Sequence, residues 1–94
     1  MEVIVLAGVV ENDCEKKVDK KGSPYVRFTL MCDGMDFDGK PTTSFYRCYC
    51  WLSQFFDLKA GEIVYLTGTQ KITIHNGKIN IDVFVKTISN GKKI

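Results

Sequence analysis

The stretch Ser44–Trp51, Ser-Phe-Tyr-Arg-Cys-Tyr-Cys-Trp, decides how the rest of the chain is interpreted. A β-strand places successive side chains on opposite faces. One face of this strand would then carry three aromatic rings and one guanidinium, namely Phe45, Arg47, Tyr49 and Trp51. The other face would carry residues typical of a core, namely Tyr46, Cys48, Cys50 and Leu52.

The ring-bearing face has two interpretations. Flat rings and a cation on one strand face are suited to stacking on unpaired nucleic-acid bases. Aromatic residues also pack well, so a strand buried on both faces, or a dimer contact, fits the same pattern. Only the remainder of the chain can separate these alternatives.

The composition indicates one small globular domain. The 94 residues suffice for one core, and the hydrophobic share of 45% and charged share of 26% are ordinary. A net charge of +2 permits a polyanionic partner but is lower than strongly basic nucleic-acid-binding domains carry. No apolar run is long enough to cross a membrane, and the first residues lack the features of a signal peptide. We therefore expect a cytoplasmic protein that does not enter the membrane.

The chain offers little for metal binding or catalysis. Its four cysteines, Cys14, Cys32, Cys48 and Cys50, form no Cys-x-x-Cys pair, and His75 is the single histidine. We expect reduced thiols, no metal and no cofactor. The acidic residues between Asp33 and Asp38 lack the ligand spacing of an EF-hand loop. No nucleophile–base pair is visible, so we do not expect an enzyme.

Alternating and short apolar runs predict five main strands: Val3–Val10, Tyr25–Cys32, Ser44–Trp51, Glu62–Ile72 and Lys78–Ile88. A short extra strand is expected around Lys16–Val18, and Gly8 would permit a bend in the first strand. In the fifth strand, Ile79, Ile81, Val83 and Val85 should face inward. Asn76-Gly77 predicts a two-residue type I′ hairpin.

The connections between the strands point to one architecture. Leu52–Leu58 predicts one or two helical turns, ended by Gly61. No helical pattern follows the other strands, so a parallel sheet with crossover helices is disfavoured. A closed barrel hides the sheet edges. An all-β barrel of five strands, with a short helix between the third and fourth, has the order of the oligonucleotide/oligosaccharide-binding (OB) fold. Residues 1–88 would form this domain and residues 89–94 a loose basic tail.

Other residues extend the candidate face. Tyr25 and Arg27 repeat the ring-and-cation pattern on the second strand, and Phe84 faces outward on the fifth. Positive charge beside these rings would come from Lys71, His75, Lys78 and Lys86. The lysine cluster before Gly22 is more typical of a solvated loop. Asp33–Thr43 predicts a loop whose apolar Met35 and Phe37 either fold back over the core or meet a ligand.

Several segments, in order and spacing, resemble the bacterial single-stranded DNA-binding (SSB) proteins. That family reads V-x-L-x-G in the first strand, W-H-R in the third and L-x-K-G-x-x-V-Y-x-x-G around the fourth. The matching pieces are Val3–Gly8, Tyr25–Leu30, Phe45–Cys48, Leu58–Gly61 and Val64–Gly68. The stretch Lys17–Phe28 also resembles a shorter relative, primosomal replication protein N.

The resemblance implies an OB fold, binding of single-stranded DNA with little sequence preference, and assembly through the first strand. Stacking aromatics would fall on Phe45 and Trp51, the family's arginine on Arg47, and further stacking positions near His75 and Phe37. The chain departs from the pattern at Tyr46, where the family has histidine, and at Phe45, where it has tryptophan. No long tail with acidic and aromatic residues follows Ile88, which puts recruitment of replication and repair proteins in doubt.

The sequence therefore predicts a protein that binds single-stranded DNA by ring stacking and phosphate contacts, in replication, replication restart, recombination or repair. A protein-interaction module on the same fold, or an RNA-binding protein, fits the residues as alternatives. Val3–Val10 is apolar on both faces and needs cover, so we expect a homodimer through this strand, with a tetramer also compatible.

Overall fold

The computed structural model describes residues 3–90. These residues form six strands and one 3-10 helix: β1 (Val3–Val10), β2 (Glu15–Val18), β3 (Pro24–Met35), β4 (Pro41–Cys50), the helix (Ser53–Phe55), β5 (Ile63–His75) and β6 (Lys78–Asn90). No helix among these residues has the length and apolarity that a membrane crossing requires.

Five of the strands close into a barrel, which confirms the predicted all-β architecture. The sheet order is β1-β5-β6-β4-β3-β2, and pairing of Val9 with Met31 and Val10 with Leu30 joins β1 to β3. The remaining strand, β2, lies outside the closed ring and pairs with the start of β3. Strands β4 and β6 are parallel over only three residue pairs, whereas the other pairings are antiparallel.

The barrel interior is filled by alternate residues of each strand. Among the described residues, the buried side chains are Leu6, Val10, Val26, Phe28, Leu30, Cys48, Cys50, Leu58, Val64, Leu66 and Val83. The cysteines are free thiols, as predicted, with Cys48 and Cys50 buried and Cys14 and Cys32 half-buried. Burial raises the pKa of the Cys48 thiol to about 12, so this group is neutral at physiological pH.

Two glycines permit close approaches between strands. A Cβ at Gly8 would overlap the Met31 carbonyl oxygen, where β1 meets β3 to close the barrel. A Cβ at Gly68 would overlap the Phe84 carbonyl oxygen, beside the irregularity in the β5–β6 register at Thr67/Gly68. Gly8 therefore permits a close backbone contact between β1 and β3, whereas the sequence had suggested only a bend at this position.

The predicted helix between the third and fourth main strands is reduced to a three-residue 3-10 turn. Its hydrogen bonds run from the Phe55 N–H to the Leu52 carbonyl and from the Phe56 N–H to the Ser53 carbonyl. No regular α-helix forms in the connection from Trp51 to Glu62, although its apolar spacing had predicted one. Leu52, Phe55 and Phe56 pack against the core in this turn, as their spacing predicted.

The predicted loop Asp33–Thr43 is mostly strand, which corrects that boundary. Ladder pairing continues to Met35 and Pro41, so only residues 36–40 turn. The Asp36 carboxylate accepts the backbone N–H groups of Asp38 and Lys40, and Gly39 has a φ of 76°. This local hydrogen bonding makes a compact turn, so the flanking residues are free to pair.

The β5–β6 hairpin has the predicted type I′ turn, with φ values of 51° at Asn76 and 76° at Gly77. The hairpin runs past the end of the barrel, so Ile72, Ile74 and Ile79 are exposed. The inward placement predicted for Ile79 is therefore wrong, whereas Ile81, Val83 and Val85 join or pack against the core.

The end of β6 also corrects a boundary. Ser89 and Asn90 belong to the strand and pair with Tyr65 and Val64, although the sequence had placed them in a loose tail. Residues 91–94, the rest of that tail, lie outside the described residues.

Candidate nucleic-acid interface

The outer face of strands β3, β4 and β6 brings the predicted site residues together. Strand register places Arg27 opposite Tyr49 and Thr29 opposite Arg47. On the other edge of β4, Arg47 lies opposite Asp82 and Tyr49 opposite Phe84. Because side chains alternate along a strand, rings and arginines from three strands share one surface.

Four rings on this surface touch one another and form the ring cluster, defined here as Tyr25, Tyr49, Trp51 and Phe84. The centroids of Tyr25 and Trp51 are 4.7 Å apart and their planes differ by 26°. Tyr49 and Phe84 are 5.4 Å apart at 21°, and Trp51 and Phe84 are 6.5 Å apart at 28°. Trp51 and Phe84 remain 39% exposed, so the cluster offers aromatic surface to solvent.

Phe45 lies on the same face but outside the ring cluster, and it makes no ring contact among the described residues. It is 53% exposed. It lines a cleft of about 270 Å³ with Thr29, Arg47, Asn80 and the isoleucines on either side of Asn80. This cleft lies where β4 and β6 separate beyond their short parallel pairing. Phe45 is thus a fifth ring of this face, isolated from the other four.

Both arginines of the face are paired with carboxylates. Arg47 Nε donates to Asp82 Oδ1 over 2.6 Å, and the Tyr49 hydroxyl donates to the same oxygen over 3.5 Å. Arg27 Nη2 donates to Glu15 Oε2 over 2.9 Å. The hydrogen bond to Asp82 raises the pKa of Arg47, while burial and the Asp82 charge raise the pKa of Tyr49. Each guanidinium is therefore held in place and partly neutralised.

Trp51 is also held by a carboxylate. Its Nε1–H donates to Asp19 Oδ2 over 3.0 Å. The other oxygen of Asp19 accepts the backbone N–H groups of Lys21 and Ser23, each over 2.9 Å. The Ser23 backbone hydrogen bond is the largest cause that lowers the pKa of Asp19, and the indole adds to it. The indole thus has a fixed orientation beside Tyr25.

Other predicted site residues lie farther from the ring cluster. Phe37 is fully exposed in the turn between β3 and β4, so the segment does not fold back over the core. His75 and Lys78 face each other at the tip of the β5–β6 hairpin. Lys71 is exposed on β5, directly opposite Asp82 of β6. Lys86 lies at the irregularity in the β5–β6 register. The structure does not bring these five residues into contact with the rings.

Sequence reasoning missed the acidic residues of this face, namely Glu15, Asp19 and Asp82. Alternation does place Asp82 on the outer face beside Phe84, so its position on this face could be predicted from the sequence. Its partner was not, because the parallel pairing of β4 with β6 joins segments that are distant in the chain. Among the described residues, no group of three or more histidine, cysteine or acidic side chains is placed to hold a metal ion.

A largely apolar cleft lies elsewhere, on strands β1 and β5 and the end of β6. It measures about 440 Å³ and includes Val5, Ala7, Tyr65 and Ile88 in its lining. The chemistry of this lining differs from that of the ring-bearing face, because it lacks charged side chains.

Topology and site together define an OB-type barrel that carries an exposed aromatic face, and solved structures share this fold. A small single-stranded DNA-binding protein from Streptomyces coelicolor superposes with a TM-score of 0.77 at 20% identity, over 96% of this chain and 91% of that one. The Plasmodium falciparum SSB, in complex with single-stranded DNA, gives 0.77 at 17% identity over 98% and 96%. A mitochondrial single-stranded DNA-binding protein from S. cerevisiae gives 0.73 at 14% identity over 97% and 94%.

These similarities are similarities of fold. The sequence matches no protein-family model, and a search of curated protein sequences finds no significant match.

Proposed function

We propose that this protein binds single-stranded DNA, largely without sequence preference, on the outer face of β3, β4 and β6. The observation that carries this proposal is the ring cluster, which is formed at the surface by rings on β3, β4 and β6 and by Trp51 directly after β4. Exposed rings stack on any base, and each stacked base is worth about 1–3 kcal/mol. The fold neighbours described above are single-stranded DNA-binding proteins, which supports the same conclusion.

The geometry of the ring cluster limits how bases can bind. Tyr25 and Trp51 already stack at 4.7 Å, so a base does not fit between them without separating the rings. Bases would instead stack on the exposed parts of Trp51 and Phe84. Phe45 would receive a further base at the other end of the face, beside Arg47. We assign the biological setting to replication, replication restart, recombination or repair, including the primosomal role that the sequence resemblance implies.

The proposal also includes a homodimer through β1. Val3 and Val5 are exposed on the outer face of β1, and the exposed Tyr65 and Ile63 of β5 continue this face opposite Ala7 and Val9. On its other side, β1 pairs with β3 only at Val9 and Val10 and approaches it closely at Gly8, which leaves the edge of residues 3–7 open. An open strand edge beside an apolar face is a surface on which a second copy of the chain can dock.

A titration with oligo-dT, followed by Trp51 fluorescence at two salt concentrations, tests the proposal. Trp51 is the single tryptophan, so quenching reports directly on the ring cluster. We expect quenching on binding. We also expect a marked loss of affinity when Trp51 and Phe45 are both changed to alanine; because that variant has no tryptophan, its affinity is measured from the fluorescence anisotropy of dye-labelled oligo-dT. Unchanged affinity in that double variant would exclude stacking on these rings. An RNA oligonucleotide of equal length, titrated in parallel, determines which nucleic acid is preferred.

A protein-interaction module is the second candidate, because the apolar face on β1 and β5 would suit a protein partner. The modest net charge of +2 also favours it. Complete absence of Trp51 quenching by DNA and by RNA, with the protein folded, would favour this candidate over nucleic-acid binding.

A further inference from the structure

The turn between β2 and β3, residues 19–23, is closed by internal hydrogen bonds and is hydrogen-bonded to the ring cluster. The Asp19 N–H donates to the Ser23 carbonyl over 2.9 Å, and the Gly22 N–H donates to the Asp19 carbonyl over 3.0 Å. The Asp19 side chain accepts two further backbone N–H groups in the turn and the indole N–H of Trp51. Gly22 has a φ of 84°, which the turn requires.

This turn presents two lysines whose charge is not paired. Lys20 and Lys21 are exposed, and neither makes an ion pair within residues 3–90. The neighbouring cations are engaged: Lys16 with Asp57 at 3.8 Å, Lys17 with Glu15 at 3.6 Å and Arg27 with Glu15 at 2.9 Å. Free positive charge next to Trp51 is therefore found on the turn rather than on the arginines of the face.

The negative charge of Asp19 does not cancel these lysines by pairing with them. Its two carboxylate oxygens accept three N–H donors, two from the backbone and one from the indole. The lysine ammonium groups stay available to an anion from outside the chain, and an ammonium on a flexible stem suits a phosphate as a point charge.

Given the proposed function, on which this step rests, we propose that Lys20 and Lys21 bind backbone phosphates of the single-stranded DNA whose bases stack on Trp51. The hydrogen bond between Trp51 and Asp19 fixes the turn relative to the ring, so base and phosphate are received by one connected unit. Arg27 and Arg47 then act mainly to position the ring-bearing face, because Glu15 and Asp82 offset most of their charge.

The test compares two double variants with the same loss of charge. Lys20→Gln/Lys21→Gln removes the turn lysines, whereas Lys40→Gln/Lys59→Gln removes two exposed lysines that also lack an ion pair within residues 3–90. Lys40 lies in the turn before β4 and Lys59 lies before β5, both outside the β2–β3 turn. Affinity for oligo-dT is measured from Trp51 quenching across a series of salt concentrations, for both variants and the wild type.

Each phosphate contact contributes about 0.7 to the slope of log affinity against log salt for a single strand, so losing two lowers the slope by about 1.4. We expect this reduction in Lys20→Gln/Lys21→Gln, equivalent to about a sevenfold smaller loss of affinity between 50 and 200 mM salt. We expect the wild-type slope in the control. An equal slope in the two double variants, or a flat response in the wild type, would overturn the inference. A wild type that binds no oligonucleotide refutes the proposed function itself, which is a separate outcome.

Discussion

Arg47 and Asp82 form the closest side-chain ion pair of the ring-bearing face, with 2.6 Å between Nε and Oδ1. They sit opposite each other where β4 and β6 run parallel, and Asp82 is much the less exposed of the two. The carboxylate holds the guanidinium across this junction and offsets its charge. An incoming phosphate would have to compete with Asp82 for Arg47.

Replacing Asp82 by asparagine should strengthen binding of oligo-dT at low salt. Asp82→Asn keeps the shape of the side chain but removes the negative charge, so Arg47 becomes free to contact a phosphate. We expect the slope of log affinity against log salt to steepen by about 0.7, the contribution of one phosphate to single-strand binding. Salt-dependent fluorescence titration measures this slope.

Asp57→Asn is the matched control for that prediction. Asp57 is highly exposed and, within residues 3–90, forms an ion pair only with Lys16 at 3.8 Å, outside the ring-bearing face. The same chemical change there should alter the slope little. Weaker binding by Asp82→Asn than by Asp57→Asn would mean that the orientation of Arg47 matters more than its charge.

Gly68→Ala should destabilise the fold, because the added methyl overlaps the Phe84 carbonyl oxygen. Relieving this overlap moves the backbone of β6, at a cost of about 1–3 kcal/mol in the free energy of unfolding. Gly34→Ala offers a matched control within a strand, since its nearest neighbour would be Thr42 Oγ1 at an ordinary 3.6 Å. Urea unfolding compares the two, and equal stability of both variants would contradict the predicted overlap.

Stability should fall in alkaline solution because of Cys48. The pKa of this thiol rises from 9.0 to about 12 on folding, so above pH 9 the unfolded chain loses a proton that the folded chain retains. The unfolded state is thereby favoured, and stability declines by up to about 1.4 kcal/mol per pH unit between pH 9 and 12.

Cys48→Ala removes this titration, so the stability gap between wild type and variant should narrow as pH rises through that window. Urea unfolding under reducing conditions, at pH 8 and at pH 10.5, measures the gap. A gap that stays constant would show that the thiol is not kept neutral by burial.

Val5→Glu should convert the proposed dimer to a monomer. Val5 lies on the apolar outer face of β1, and a carboxylate there would be desolvated on assembly without a partner. Ile74→Glu is a matched control, because Ile74 on the β5–β6 hairpin is as exposed as Val5, at 74% each. Light scattering gives the mass of each variant. A monomeric wild type at working concentration would refute assembly through β1.

Alternation of side chains was the most informative signal in the sequence. It placed Phe45, Arg47 and Tyr49 on the outer face of one strand and buried Cys48 and Cys50, as observed. It likewise set Phe84 outward. These assignments succeed because the core face of a strand is fixed by its period of two, whatever the strand's neighbours are.

Strand ends and strand partners were beyond such reasoning. The sequence could not show how far the β5–β6 hairpin runs past the barrel, so Ile79 was assigned to the interior although it is exposed. Nor could it show that the β2–β3 turn folds beside Trp51, which joins Asp19 to a residue 32 positions away. Both features depend on how the barrel closes, which is a property of the whole chain.

The short parallel junction of β4 and β6 has a consequence for folding. Arg47 and Asp82 are 35 residues apart in the chain, and the ring cluster contains residues from both sides of the β4–β6 junction. The ring cluster therefore does not exist until β4 and β6 have paired, since neither strand carries it alone. A nucleic acid stacked across Trp51 and Phe84 would hold β4 and β6 together, because it would bind the native state and not the unfolded chain. Raising the ligand concentration would then lower the equilibrium population of unfolded chain as well as raising occupancy.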